Sequence, residues 1–94
     1  GDHQNLYCNK IIVSNVSWIN SSPFCEIGTK DTLKCSVKIR YRQADQACIL
    51  KKLNKENLQI QFDQPQRAVA LGQSAVLYDK DKCLGGGFIE EIIK

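Results

Sequence analysis

The sequence predicts an all-β fold, a small antiparallel β-barrel of about six strands, and three features carry that expectation. Leu58, Ile60 and Phe62 alternate with Gln59, Gln61 and Asp63, the period-two pattern of a strand with one buried face. Short apolar runs of this kind recur along the chain between turn-forming residues. No segment sustains the 3.6-residue apolar repeat of a helix. Closure into a barrel follows because it leaves a small sheet no unpaired edge.

The elements follow in order. A first strand is expected over 10–19, rich in Ile, Val and Trp, and it stops at Ser21-Ser22-Pro23. The second, over 32–41, sets Cys35, Val37, Ile39 and Tyr41 on one face against Lys34, Ser36, Lys38 and Arg40 on the other, and Gln43-Ala44-Asp45 reads as the loop after it. The third, 47–53, ends at the polar stretch from Asn54 to Asn57. The fourth starts at Leu58 and is expected to break at Gln64-Pro65, since proline cannot donate to a ladder. The fifth, 74–78, follows Gly72, and the sixth, 83–93, follows a turn from Asp79 to Lys82. The connections are short enough for hairpins. Residues 1–9 have no evident partner strand and read as the tail of a preceding domain or a linker, leaving 10–94 as the barrel.

A chain of 94 residues makes one domain. It buries roughly 60–65% of the surface its unfolded form exposes, which leaves little room for a deep catalytic cavity and favours a binding module over a whole enzyme. The start, GDHQNLYC, lacks the order of a signal peptide, and no run approaches the roughly 20 apolar residues of a membrane-spanning helix. A soluble protein with no membrane partner is expected. The five cysteines, Cys8, Cys25, Cys35, Cys48 and Cys83, form no C-x-x-C pair, so neither a disulfide framework nor a zinc site is expected. Reduced thiols in a cytosolic or organellar compartment fit that usage.

The formal net charge of +3 conceals an asymmetry, because Lys30 to Lys55 holds eight basic residues against two acids, a local +6, and the remainder carries −3. A positive field confined to one segment is the footprint of a surface that meets a polyanion. Within it, Lys34, Lys38, Arg40 and Arg42 share one strand face. Two readings stand side by side: a solvated face protected by Lys, or guanidinium forks on phosphate with Tyr41 stacking on a base. The second requires the strand to end or bulge before Tyr41, because strict alternation turns Tyr41 away from Arg40.

No catalytic constellation emerges. Gly85-Gly86-Gly87 lacks the spacing of a phosphate loop and precedes the strand-like Phe88-Ile89, so it reads as a bend, bulge or close backbone approach. His3 is the single histidine and lies near the terminus. Glu90 and Glu91 are expected on opposite faces of a strand. The cysteines read as small core residues, Cys35 above all.

Taken together, Asp2-His3, Trp18-Ile19, CSVKIRYRQ over 35–43, the A-V-x-x-G-Q-S-A-V-x-Y stretch over 68–78 and CLGGGFIE over 83–90 resemble the C-terminal part of the tRNA-specific 2-thiouridylases, the MnmA/TrmU family. The resemblance is collinear across the chain. It departs at turns, where Ala70-Leu71 replaces a usual Thr-Pro, Ala47 a usual Pro, and Asp79-Lys80-Asp81 a usual Asn-Gly or Asp-Gly hairpin. It implies an enzyme that uses ATP with magnesium to adenylate the C2 oxygen of the wobble uridine and then replaces that oxygen with persulfide sulfur. The nucleotide loop and both catalytic cysteines would lie in an upstream domain, with a central domain between. This chain would then hold no catalytic residue, bind no cofactor or metal, and be inactive alone.

By motif position the resemblance implies tRNA contacts at Arg40, Tyr41 and Gln73, with Lys38 and Arg42 as second-rank candidates. The implied partners are tRNA and a persulfide donor, either a cysteine desulfurase or a relay protein. The implied location is cytoplasmic, or mitochondrial for a eukaryotic homologue. The alternative is a barrel that packs on other domains or on the sulfur donor, with little direct RNA contact.

Overall fold

The computed structural model describes residues 7–19, 32–40, 44–54 and 56–93, and it is all-β over them. Six strands, β1 (Tyr7–Trp18), β2 (Thr32–Lys38), β3 (Gln46–Lys52), β4 (Leu58–Arg67), β5 (Ser74–Asp79) and β6 (Lys82–Ile93), close into a barrel in the order β1-β4-β3-β2-β5-β6. Every neighbouring pair is antiparallel. Of the six ladders, β2–β3, β3–β4 and β5–β6 join sequential strands as hairpins. The β1–β4, β2–β5 and β1–β6 ladders bring together strands distant in sequence.

Alternation fills the interior as its period dictates. Leu58, Ile60 and Phe62 point inward, as do Ile11 and Val13 of β1, Val37 of β2, Leu50 of β3, Leu77 of β5 and Ile89 of β6. Removing each such side chain from water contributes about 1.5–3 kcal/mol. Cys8 and Cys48 belong to this core and Cys35 packs against it, as expected of small apolar residues.

Three departures from the sequence-based expectation have a local reason. β1 begins at Tyr7, so residues 7–9 of the expected tail lie in the barrel, where Tyr7 pairs with Arg67 and Cys8 with Gln66. β4 runs through Gln64-Pro65 because the ladder slips there: Cys8 faces Gln66 while Lys10 faces Gln61. Within that irregularity Pro65 has no ladder bond to donate. β6 carries a similar slip, since Ile12 pairs with Glu91 and Val13 with Ile89, which sets Glu90 aside as a bulge. Both Glu90 and Glu91 are therefore exposed, not turned to opposite faces.

The glycine triplet has the structural role its spacing predicts. A Cβ on Gly85 would lie 2.1 Å from the Ser17 carbonyl oxygen, on Gly86 2.4 Å from that of Ala75, and on Gly87 2.5 Å from that of Ser14. Backbone meets backbone on both flanks of β6, which no larger residue permits. Gly85→Ala is therefore expected to lower unfolding free energy by about 2–4 kcal/mol, read as a shift in the urea midpoint. Gly72→Ala, where a Cβ meets nothing within 4 Å but φ is +85°, is expected to cost less than half of that.

Candidate nucleic-acid interface

β2 delivers the basic stripe as alternation requires. Val37 is fully buried and Ile39 is 5% exposed, so Lys34, Ser36, Lys38 and Arg40 fall on the outer side. The strand ends at Lys38 and the chain bends at Arg40. The strand thus ends before Tyr41. Tyr41 and Arg42 themselves lie outside the described residues.

Arg40 has two tasks at that bend. Its Nη2 donates to the backbone carbonyl of Arg67 and, at 2.8 Å, to that of Ala68, tying the exit of β2 to the end of β4. Ala68 has a positive φ of 54°, an unusual conformation for a residue with a Cβ. Beside it, the buried Gln66 donates from Nε2 to the Gln64 carbonyl at 2.9 Å and to Gln46 Oε1 at 3.3 Å. Polar groups thus bind the chain ends at this rim of the barrel.

Gln73 is placed by a tight turn. Its backbone N–H donates to the Ala70 carbonyl at 3.4 Å, and Gly72 between them takes φ +85°. A positive φ at the third position of a four-residue turn is what glycine supplies, so the turn forms with Leu71 at its second position. The turn is pinned to β6, because Gly72 N–H donates to Ile89 O and Ile89 N–H to Gln73 O, both at 2.8 Å. The Gln73 side-chain Oε1 accepts from Ala70 N–H at 3.1 Å, which turns its Nε2 donors outward.

These pieces meet in one place. Lys38, Ile39, Arg40, Gln73, Ser74, Val76 and Tyr78 line an open groove of about 770 Å³ on the β2–β5 face. Three of the five residues nominated from sequence, Lys38, Arg40 and Gln73, are brought together there. Tyr78 was not nominated. Its outward position was readable from alternation with the buried Ala75 and Leu77, but its closeness to the basic stripe depends on the β2–β5 ladder, in which Ser36 faces Tyr78 and Lys38 faces Val76.

Cys35 and Cys48 form a thiol pair across the β2–β3 ladder. Cys35 and Cys48 stand opposite each other on β2 and β3 with their Sγ atoms 3.8 Å apart. The hydrogen bond with Cys35, burial, and the like negative charges that Cys35 and Asp63 would set beside a thiolate push the Cys48 thiol far above its ordinary range, so it stays protonated. Among the described residues no group of His, Cys, Asp and Glu is arranged to hold a metal.

The comparison with known families decides the assignment, since the family model described as the aminomethyltransferase beta-barrel domain matches residues 8–89. The chain belongs to that family. The match covers all six strands except the first residue of β1 and the end of β6. The chain is 44% identical over 93 residues to the tRNA-specific 2-thiouridylase MnmA of Vibrio parahaemolyticus, covering 99% of this chain and 24% of that relative. It is 45% identical over 93 residues to the one of Pseudoalteromonas atlantica, covering 99% and 22%. For Haemophilus influenzae the figures are 41% over 92 residues, 98% and 23%. This barrel-family chain thus spans about a quarter of the length of the curated relatives it matches.

The Cys48 environment gives a pH dependence with a definite sign. The folded thiol holds its proton more tightly than an unfolded one, whose pKa is 9.0, so its stabilisation is complete below that pH and declines above it. Above about pH 9 the decline is expected to approach about 1.4 kcal/mol per pH unit for this one group. Comparing urea unfolding of the wild type and Cys48→Ala from about pH 8 to about pH 10.5 isolates it. The variant is expected to lack that part of the slope.

Proposed function

We propose that this chain is the tRNA-holding barrel of a tRNA-specific 2-thiouridylase. One observation carries the reading: Lys38 at the end of β2, Arg40 at the bend after it and Gln73 from the β4–β5 turn line the same groove. In it, Lys38 supplies a point charge for phosphate. Arg40 keeps Nη1 and Nε for a phosphate or sugar oxygen while Nη2 holds the two carbonyls. Gln73 donates from Nε2 to an RNA acceptor. Tyr41 and Arg42, two and three residues beyond Ile39 in the chain, are further tRNA contacts in this reading.

The likeness to the MnmA relatives supports the wider assignment. In it the complete protein uses ATP with magnesium and a persulfide donor to place sulfur at C2 of the wobble uridine of tRNA. The chemistry belongs to segments outside this chain, whose part is to hold the substrate. Its site of action in this reading is the cytoplasm, or the mitochondrion in a eukaryote.

A second reading has an observation of its own. A separate groove of about 410 Å³ crosses β1, β5 and β6, where Ile19 and Phe88 are 63% and 50% exposed beside the glycine triplet. Apolar exposure of this kind suits packing against another part of the protein. The two surfaces are compatible, and Phe88→Ser is expected to leave the RNA affinity of the isolated chain unchanged.

The test of the main reading is the salt dependence of tRNA binding, measured by filter retention or anisotropy. The wild-type chain is expected to bind with affinity that falls steeply with salt. Lys38→Ala should weaken binding and lower the slope of log K against log salt by about 1. A wild-type chain with no tRNA affinity at low salt would remove RNA holding from this barrel.

A further inference from the structure

The groove is incomplete as a set of charges. Its β5 wall presents Ser74, Val76 and Tyr78, the residues that alternation turns outward between buried Ala75 and Leu77. Tyr78 is half-buried, so its ring is neither absorbed by the core nor loose in solvent. Across the β2–β5 ladder it faces Ser36, and Val76 beside it faces Lys38. Paired residues on adjacent strands lie about 4.5–5.5 Å apart, and the next outward row along a strand is about 7 Å away. The ring therefore stands within one row of the Lys38 ammonium stem, opposite a side chain too small to cover it.

The other flank is also low. Tyr78 pairs with Cys83 on β6, and the next pair, Leu77 with Gly85, leaves Leu84 as an extra residue in a bulge. Beyond it Gly85 and Gly86 raise no side chain above the sheet. A half-buried aromatic ring that lines the groove between Ser36 on β2 and Cys83 on β6, with glycines one pair further along β6 and a cation one row away, is placed to meet a planar ligand. Phosphate on the cation and base on the ring is the arrangement by which unpaired RNA is held.

We propose that Tyr78 is the base-stacking platform of the groove, taking the base of an unpaired nucleotide whose adjoining phosphate meets Lys38. This rests on the reading of the groove as an RNA site. Stacking on a ring tolerates any base, so Tyr78 contributes affinity and orientation without selecting a sequence.

The experiment measures binding of tRNA and of a uridine-rich single-stranded oligonucleotide to the chain, with Lys38→Ala as the reference for electrostatic loss. Tyr78→Phe is expected to bind as the wild type. Tyr78→Ala and Tyr78→Leu are expected to bind roughly five- to a hundredfold more weakly with an unchanged salt slope, the leucine keeping apolar bulk so that folding is maintained. A 2-aminopurine placed in the oligonucleotide is expected to be quenched by the wild type and not by Tyr78→Leu. If Lys38→Ala weakens binding but Tyr78→Leu does not, the proposal falls, the groove reading stands and the ring is left for a protein contact. Weakening in Tyr78→Phe equal to that in Tyr78→Leu would assign the effect to the hydroxyl and overturn stacking. If neither the wild type nor any variant binds RNA, the underlying reading falls with it.

Discussion

Closure of this barrel depends on β6 approaching both neighbours by backbone alone. At Gly85 and Gly87 the approach is to β1, at Ser17 O and Ser14 O; at Gly86 it is to β5, at Ala75 O. Three consecutive residues without a Cβ let one strand lie flat against two others, and so join the β1–β4–β3–β2 part of the sheet to β5. With that join made, the six described strands form a closed barrel, and thirteen buried apolar side chains among the described residues share one interior. The same three residues shape the exterior. Where β6 has no side chains, the outward groups of β5 stand above their surroundings, and Ser74 and Val76, which line both grooves, become the ridge between them.

The groove on the β2 side is held by connections, not by any single strand. Arg40 reaches from the end of β2 to the carbonyls that close β4, and the turn after β4 is bonded on its far side to Ile89 of β6. Gln73 thus receives its position from two directions. A lysine at position 40 would carry the charge but not the planar fork that spans two adjacent carbonyls, so Arg40 acts on the site through its geometry as well as its charge. This explains how a surface built largely from chain ends can keep fixed distances among its donors: each end is tied to a strand that belongs to the closed sheet.

Much of this was legible in the residues, for a definable reason. Alternation is a local property, so the inward set of Val37, Ile39, Leu58, Ile60 and Phe62 and the outward basic stripe could be read directly. Where the period slips, it misled. Glu90 is displaced by a bulge, and Pro65 lies inside a strand because its partner ladder skips there. What sequence could not supply was the β2–β5 ladder, which pairs strands separated by two others. Tyr78 therefore went unnoticed while Tyr41, next to Arg40 in the chain, drew attention. Proximity along the chain stood in for proximity in space.

The magnitudes limit what such a groove can do for its proposed ligand. A few lysine and arginine contacts to phosphate give binding that is salt-sensitive and indifferent to sequence, and a stacked base adds roughly 1–3 kcal/mol without discriminating among bases. Gln73 is the one nominated group here whose directed hydrogen bond distinguishes acceptors. Selection of one tRNA over another cannot arise from these terms, whereas retention of any tRNA whose shape brings an unpaired stretch to the groove can. The relatives that the chain matches are about four times its length, and in the proposed function such retention raises the local concentration of substrate at a second site on the same polypeptide. Weak, open and sequence-tolerant binding is then an advantage, because a tighter grip would hold product as firmly as substrate and slow its release.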